Sequence, residues 1–392
     1  MFYRKLLPDL EKHLVNKLIT VVVGLRRVGK TSIIKALLAK INSENKLFLD
    51  FEKAENRFIF SQKNYSDIET SLRFLGLDLS QKAYLALDEI QLVANSTSVI
   101  KYLYDTYNIK FLVTGSSSFY LKNHFTESLA GRKRIFEMRP LSFSEFLDFK
   151  GSDVRLDGFL MQKFNPAIYA KLNEFYREYL VFGGFPEVVL EPNKEDKIEY
   201  LKEIVNAYLQ MDLLIAGDIQ RTDEIYSLLR LLNVRVGSKI DYNKIASVSG
   251  LSRHRVKEYL TFLEYTFFIH QIEPYSKSPD KEISLQKKLY YADNGLLTVF
   301  GVTDMGKLLE NSIANQLIPL GKLNYYAKKS GQEIDFILNE NVAIEVKETA
   351  TEHDLKTLIH RAESLGMLDK KIVGLNQTPF EFSEYIWAGL VG

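Results

Sequence analysis

Apolar residues recur along this chain with two periods, and the switch from one to the other marks its organisation. Residues 18–23 form a short apolar run closed by Gly24, and similar runs stand at 47–51, 84–87 and 109–113. Short, nearly continuous apolar runs are what strands of a parallel sheet need when both faces are covered. Between the first two runs, residues 31–41 space their apolar side chains as a helix does. Strands alternating with helices predict an α/β sheet flanked by helices. From 152 to 232 the strand runs vanish and helical spacing takes over, broken at Gly183-Gly184, Pro186 and Pro192. Residues 234–275 predict a small helix-turn-helix unit, and 285–392 return to strands and helices. The segments are drawn as 1–150, 151–232, 233–280 and 281–392.

Composition changes this picture little. A chain of 392 residues accommodates two to four domains at roughly 100–200 residues each. With 46% hydrophobic residues it can build a core. It has no cysteine, which excludes disulfides and thiolate zinc sites and fits a reducing cytoplasm. The longest apolar run, 18–25, is interrupted by Thr20 and Gly24 and falls short of the ~20 residues of a membrane helix. A cytoplasmic protein with no membrane partner is expected. Charge is more informative locally than globally. The whole chain carries +1, whereas residues 235–288 hold ten Lys/Arg against six Asp/Glu, a local +4. Such a patch matters more to an anionic partner than the total does.

Gly24-Leu-Arg-Arg-Val-Gly29-Lys30-Thr31 lies between a predicted strand and a predicted helix. This is the context a phosphate-binding P-loop demands. Gly24 and Gly29 let backbone N–H groups curl around ATP phosphates, Lys30 reaches the β- and γ-phosphates, Thr31 offers its hydroxyl to Mg2+, and Ser32 continues the helix N-terminus. In Tyr84-Leu-Ala-Leu-Asp88-Glu89 a buried strand delivers Asp88 to its C-terminal end, where it holds the magnesium, and Glu89 polarises the attacking water. Phe111-Leu-Val-Thr114-Gly-Ser116 is another strand running into small polar residues, with Thr114 or Ser116 placed to sense the γ-phosphate.

These motifs, followed by Leu129-Ala-Gly131-Arg132-Lys-Arg134 and Pro140-Leu-Ser-Phe-Ser-Glu-Phe146, resemble AAA+ ATPases of archaea and bacteria. Gly183-Gly-Phe-Pro-Glu187 is similar to a motif of one branch, which carries a C-terminal domain of unknown function. The resemblance implies an AAA+ core at 1–150, a helical lid at 151–232, and a ring or clustered homo-oligomer, with a hexamer the expected ring, in which a neighbour's arginine completes each ATP site. Arg132, with Arg134 as second choice, matches that position. No counterpart of the lid's second sensor arginine is identified.

In the helix-turn-helix, Ile245, Val248, Leu251, Val256, Leu260 and Leu263 are spaced to pack two helices together, and Ser252 is a good N-cap for the second. Arg253 and Arg255 then fall in the first turn, where the helix dipole disfavours cations, and Lys257 follows. DNA phosphates would offset that placement; protein packing is the other use of a winged unit, with residues 267–272 as its wing.

Near the C-terminus, Glu333-Ile-Asp335 and Glu345-Val-Lys347 flank the polar turn Asn339-Glu340-Asn341. A hairpin centred on Glu340 sets Asp335 opposite Glu345, with Lys347 on the same face as Glu345. Two carboxylates so placed can hold a second Mg2+ or Mn2+ while the lysine orients a water. This Asp…Glu-x-Lys arrangement resembles the restriction-endonuclease-like fold, and Glu310, in a helix over 304–317, matches a further metal-ligand position of that fold. Three functions remain open: an ATPase remodelling or repairing DNA, an ATP-gated nuclease, and a nucleotide-switched regulator whose C-terminal domain binds protein.

Overall fold

The structure is a computed structural model describing residues 3–115, 129–156, 164–212, 222–276, 285–328, 331–378 and 383–392. The chain divides into two compact units. The first comprises Met1–Arg139 with Asn206–Thr222 and Tyr265–Phe267, and the second Pro140–Val205, Asp223–Glu264 and Phe268–Gly392.

The first unit is built on an all-parallel sheet of β1 (Ile19–Val23), β2 (Lys46–Asp50), β3 (Ala83–Asp88), β4 (Ile109–Gly115) and β5 (Lys133–Glu137), ordered β2-β3-β4-β1-β5. The central strands β1 and β4 are buried throughout, as their continuous apolar runs predict. Helix Lys30–Lys40 packs Ile33, Ile34 and Leu37 inward, close to its expected span. The pattern gives no sign of β5. That strand closes the sheet edge, exposes Arg134, Ile135 and Glu137, and reads as charged rather than apolar.

The second unit holds a mixed sheet of β6 (Ile269–Pro274), β7 (Lys288–Tyr291), β8 (Leu323–Ala327), β9 (Glu333–Leu338), β10 (Val342–Lys347), β11 (Asp369–Gly374) and β12 (Tyr385–Trp387), ordered β12-β11-β10-β9-β8-β6-β7. From helix Met305–Leu317 the chain enters the antiparallel meander β8-β9-β10, crosses through helix Glu352–Leu365, and returns as β11 parallel to β10. The hairpin turn has positive φ at Asn339 (50°) and Glu340 (60°).

Two boundaries differ from those drawn on the sequence. Helix Pro166–Phe182, expected in a lid on the ATPase core, belongs to the second unit. Its buried stripe Leu172, Tyr176, Tyr179 and Leu180 shares one core with Ile313, Leu317, Phe336, Ile344 and Trp387. Amphipathic spacing shows that a helix is covered, without showing by what. Likewise the expected wing does not stand apart: β6 pairs antiparallel with β7 and parallel with β8, so it is an inner strand of the larger sheet. The drawn boundary at 280/281 lies outside the described residues.

The Gly-Gly motif has a steric cause. A Cβ on Gly183 would sit 1.8 Å from Asp293 Oδ1. The buried Asp293 carboxylate accepts from the backbone N–H of Gly184 at 2.7 Å and of Gly295 at 2.8 Å, and burial pushes its pKa up to about 7 against those bonds.

Candidate functional site

At the C-terminal end of β1 the chain turns through Gly24 (φ 150°), Arg27 (φ 61°) and Gly29 (φ 98°) into helix Lys30–Lys40. Only glycine fits at the first point, because a Cβ there would lie 2.1 Å from Met138 O. The Lys30 ammonium, almost fully buried, donates to Gly24 O at 3.1 Å and Leu25 O at 2.8 Å, and lies 4.0 Å from Glu89 Oε1. Ser32 follows, exposed, in the first helical turn.

Asp88 ends β3, as expected, and its two oxygens are divided between two hydroxyls. Thr31 Oγ1 donates to Oδ2 at 2.7 Å and Thr114 Oγ1 donates to Oδ1. Burial raises the Asp88 pKa; these hydroxyls oppose the rise, while the charges of Glu89 and Asp50 add to it. Thr114 also accepts from the Glu89 N–H at 3.0 Å, so one β4 side chain links Asp88 at the end of β3 with the acid that follows it. Ser116, the alternative sensor, lies outside the described residues. The pairing of a hydroxyl with a carboxylate at the loop's exit is a hard-oxygen donor set that fits magnesium on a phosphate chain.

Two contributors escape sequence reasoning. Arg4, itself buried, reaches under the loop to donate to Val28 O and Arg139 O, each at 2.7 Å. No sequence signal links positions 24 and 135 residues apart. Gln91, buried two residues beyond Glu89, donates its Nε2 hydrogen to Glu89 Oε2. A polar residue held in an otherwise apolar Ile-x-Leu turn is the signal that could have found it.

Arg132 sits before β5, its carbonyl accepting from Ile19 N at the N-terminal edge of the sheet. The P-loop leaves the opposite edge, about five residues or roughly 16 Å away along β1. Arg132 therefore does not serve its own chain's phosphate site. It forms a two-pronged pair with Asp105, at 2.9 and 3.1 Å, rather than with nearby Glu137.

On helix Arg253–Tyr265, Ser252 caps Arg255 N at 3.1 Å as expected. Arg253 and Lys257 are exposed, the latter over the Tyr242 ring. Arg255 is occupied: Nε donates to Tyr259 OH at 2.9 Å, and that hydroxyl donates to Glu224 Oε2 at 2.7 Å. Val248, expected in the interhelical seam, is instead exposed, while Ile245, Val256, Leu260 and Leu263 are buried.

In the second unit the pairing of Phe336 with Ile344 puts Asp335 opposite Glu345 one step further along the register, as hairpin arithmetic requires. Asp335 Oδ2 accepts from Val346 N at 2.9 Å. Lys347 Nζ closes onto Glu345 Oε1 at 2.8 Å with Arg361 at 3.9 Å, leaving buried Glu345 Oε2 without a hydrogen-bond partner among the described residues. Burial, then the Asp335 charge, push the Glu345 pKa up to about 7, against Lys347 and Arg361. Glu310 Oε1 accepts from Tyr290 OH at 2.7 Å and lies 3.4 Å from Lys288 Nζ, which also pairs with Glu333 Oε1 at 2.6 Å. Burial alone would lower the Lys288 pKa; Glu310, Asp335 and Glu333 outweigh it and raise it.

The carboxylates expected to hold a second metal have these partners. One oxygen of each is engaged: Asp335 Oδ2 by a backbone N–H, Glu345 Oε1 by Lys347, and Glu310 Oε1 by Lys288 and Tyr290. Among the described residues no cluster of three or more His, Asp or Glu could hold a metal ion. Asp335 and Glu345 stand opposite each other in the hairpin register, and Lys347 and Lys288 supply positive charge around them.

Residues 16–147 match a family described as an AAA domain, and residues 173–305 and 305–388 match two described as domains of unknown function, DUF8612 and DUF4143. An uncharacterized protein of Methanocaldococcus jannaschii is 29% identical over 394 residues, covering 95% of this chain and 86% of that protein. An uncharacterized protein of Haemophilus influenzae is 27% identical over 364 residues, covering 87% and 86%. Among solved structures, the Aeropyrum pernix ORC2 protein in its ADP form is 13% identical, with 76% of this chain and 93% of that chain covered and a TM-score of 0.39. The match at 16–147 lies almost entirely in the N-terminal unit, which is thus similar to an AAA domain.

Proposed function

We propose that this protein is a magnesium-dependent ATP hydrolase that acts on DNA, and that its second unit is a nuclease-like domain that grips nucleic acid. The observation that carries the first part is the single hydrogen-bonded set Thr31–Asp88–Thr114–Glu89 beside Lys30. Magnesium bound with ATP neutralises phosphate charge there. Lys30 moves from its loop carbonyls to the β- and γ-phosphates. Glu89 takes a proton from the attacking water as the water oxygen bonds to the γ-phosphorus; the bridging oxygen leaves with ADP and the bond's electron pair. Arg132 serves a neighbouring chain of a ring, exchanging Asp105 for the γ-phosphate. Measuring ATP turnover with and without a panel of DNA forms tests the whole reading. Turnover that no DNA form changes removes the DNA part, and no turnover at all removes the first.

The DNA reading is supported by the local +4 of residues 235–288 and by the exposed Arg253 and Lys257 on one helix. The order helix, three-stranded meander, helix, parallel strand from Met305 to Gly374 supports the restriction-endonuclease-like assignment. Charge compensation by Lys347 and Lys288 favours a gripping domain over a cutting one. No described helix is long and apolar enough to cross a membrane.

Charge reversal of Arg253, Arg255 and Lys257 together is expected to weaken DNA binding and to flatten its log–log salt dependence by about 2, near one per phosphate contact. The drop is two rather than three because Arg255 is already engaged by Tyr259 and Glu224. Fluorescence anisotropy over a salt series reads the slope; an unchanged slope assigns the patch to protein packing.

A further inference from the structure

The elements that hold Glu89 reach beyond the two threonines. β3 ends at Asp88, and Glu89 leaves it in the left-handed region (φ 53°), a conformation an unbranched acidic residue adopts only under constraint. Its N–H is tied to Thr114 Oγ1 at 3.0 Å, which fixes the direction of its Cα–Cβ bond. What remains free is rotation along a three-bond side chain. Gln91, on the single turn Ile90–Leu92, removes that freedom: it is only 5% exposed, and its Nε2 donates to Glu89 Oε2. The other oxygen, Oε1, faces the phosphate loop, 4.0 Å from Lys30 Nζ.

We infer that Gln91 is a positioning residue for ATP hydrolysis, tethering one oxygen of Glu89 so that the other stays turned toward the attacking water. The inference rests on the reading that Glu89 activates that water. A carboxylate with both oxygens free can follow the Lys30 ammonium when it moves to the phosphates. With Oε2 held by a buried amide, Oε1 keeps its place when Lys30 moves to the phosphates. The amide suits this task better than a cation: it donates to the carboxylate without adding a positive charge that would compete with Lys30 for it. Gln91 acts through Glu89, the residue its Nε2 touches.

The test uses the full chain. Single-turnover hydrolysis and the affinity for a fluorescent ATP analogue are measured for the parent, Gln91→Met, which keeps the length but removes the donor, and Gln91→Glu, which keeps the shape but presents an acceptor. Both variants are expected to bind the analogue within about twofold of the parent and to hydrolyse roughly 10- to 100-fold more slowly, the range that misplacement of a reacting group produces. In a Glu89→Gln background, Gln91→Met is expected to add almost nothing, because residues acting as one unit are not additive. Parent-like or faster hydrolysis by both Gln91 variants overturns the inference. So does a fall of equal size in the Glu89→Gln background, which would mark Gln91 as merely structural. A Glu89→Gln chain that hydrolyses ATP at the parent rate overturns the assignment of Glu89 itself, and the inference with it.

Discussion

A Glu89→Gln chain is expected to bind ATP as tightly as the parent and to hydrolyse it at least about 100-fold more slowly, the lower end of what a general base contributes. The two properties separate because binding and chemistry rest on different atoms. Lys30 and the loop amides hold the phosphates, and Thr31 and Asp88 hold the metal that comes with them; Glu89 is neither a phosphate nor a metal ligand in this reading. The amide that replaces the carboxylate in such a variant accepts a hydrogen bond but takes no proton from water. Lys30→Ala should do the opposite, losing the nucleotide itself, since Lys30 is the cation the loop aims at the phosphates and is almost fully buried there. Equilibrium binding of a fluorescent analogue beside phosphate release separates the cases. Parent-rate phosphate release by Glu89→Gln would remove Glu89 from the chemistry.

Lys288→Met should destabilise the second unit by about 3 kcal/mol, the lower end of the cost of stripping one partner from a buried ion pair. Lys288 is 3% exposed in its side chain and stands between Glu310 and Glu333, with Asp335 close enough to raise its pKa. Without it, Glu310 loses the cation paired with it, while Glu333 keeps only Lys239, at 4.0 Å. The lower figure applies because Glu333 is 38% exposed and water screens part of the repulsion. Burial raises the Glu310 pKa, so Glu310 takes up a proton earlier than usual as pH falls, and the deficit should shrink in acid. Adding Glu310→Gln should recover part of it. The chain has one tryptophan, Trp387, fully buried in the second unit, and its fluorescence during urea unfolding reports on that unit alone. A urea midpoint equal to the parent's at neutral pH would contradict this account.

How much of the protein was legible depended on how local each feature is. The phosphate loop was readable because its glycines, Lys30 and Thr31 are contiguous and their spacing is set by the phosphates. Asp335 and Glu345 were readable as opposing residues because a tight hairpin turns position into register. Their chemistry was not. The cations that neutralise the neighbouring acids include Lys288, which comes from a strand more than forty residues earlier, and Arg361, which comes from the helix that follows. No spacing rule connects them. Helix Pro166–Phe182 shows the same limit in packing: its stripe announces burial, but Trp387 and Phe336 cover it from far along the chain. Arg255 shows it for charge, since its position predicted a free cation and its partners Tyr259 and Glu224 emerge only in three dimensions.

The way the chain divides between the units bears on how the protein is made. It passes from one unit to the other at 139/140, 205/206, 222/223, 264/265 and 267/268. Phe267 packs against the core of the parallel sheet, and Tyr208, deep in the same unit, hydrogen-bonds Thr266. During synthesis the phosphate loop and all five strands of its sheet emerge early, yet the unit that contains them stays unfinished until residue 267 has left the ribosome. By then most of the helices of the second unit are already outside, without the sheet that will cover them. A nascent chain halted before that point would expose both sets of unfinished apolar surface at once, and would depend on chaperones through that interval.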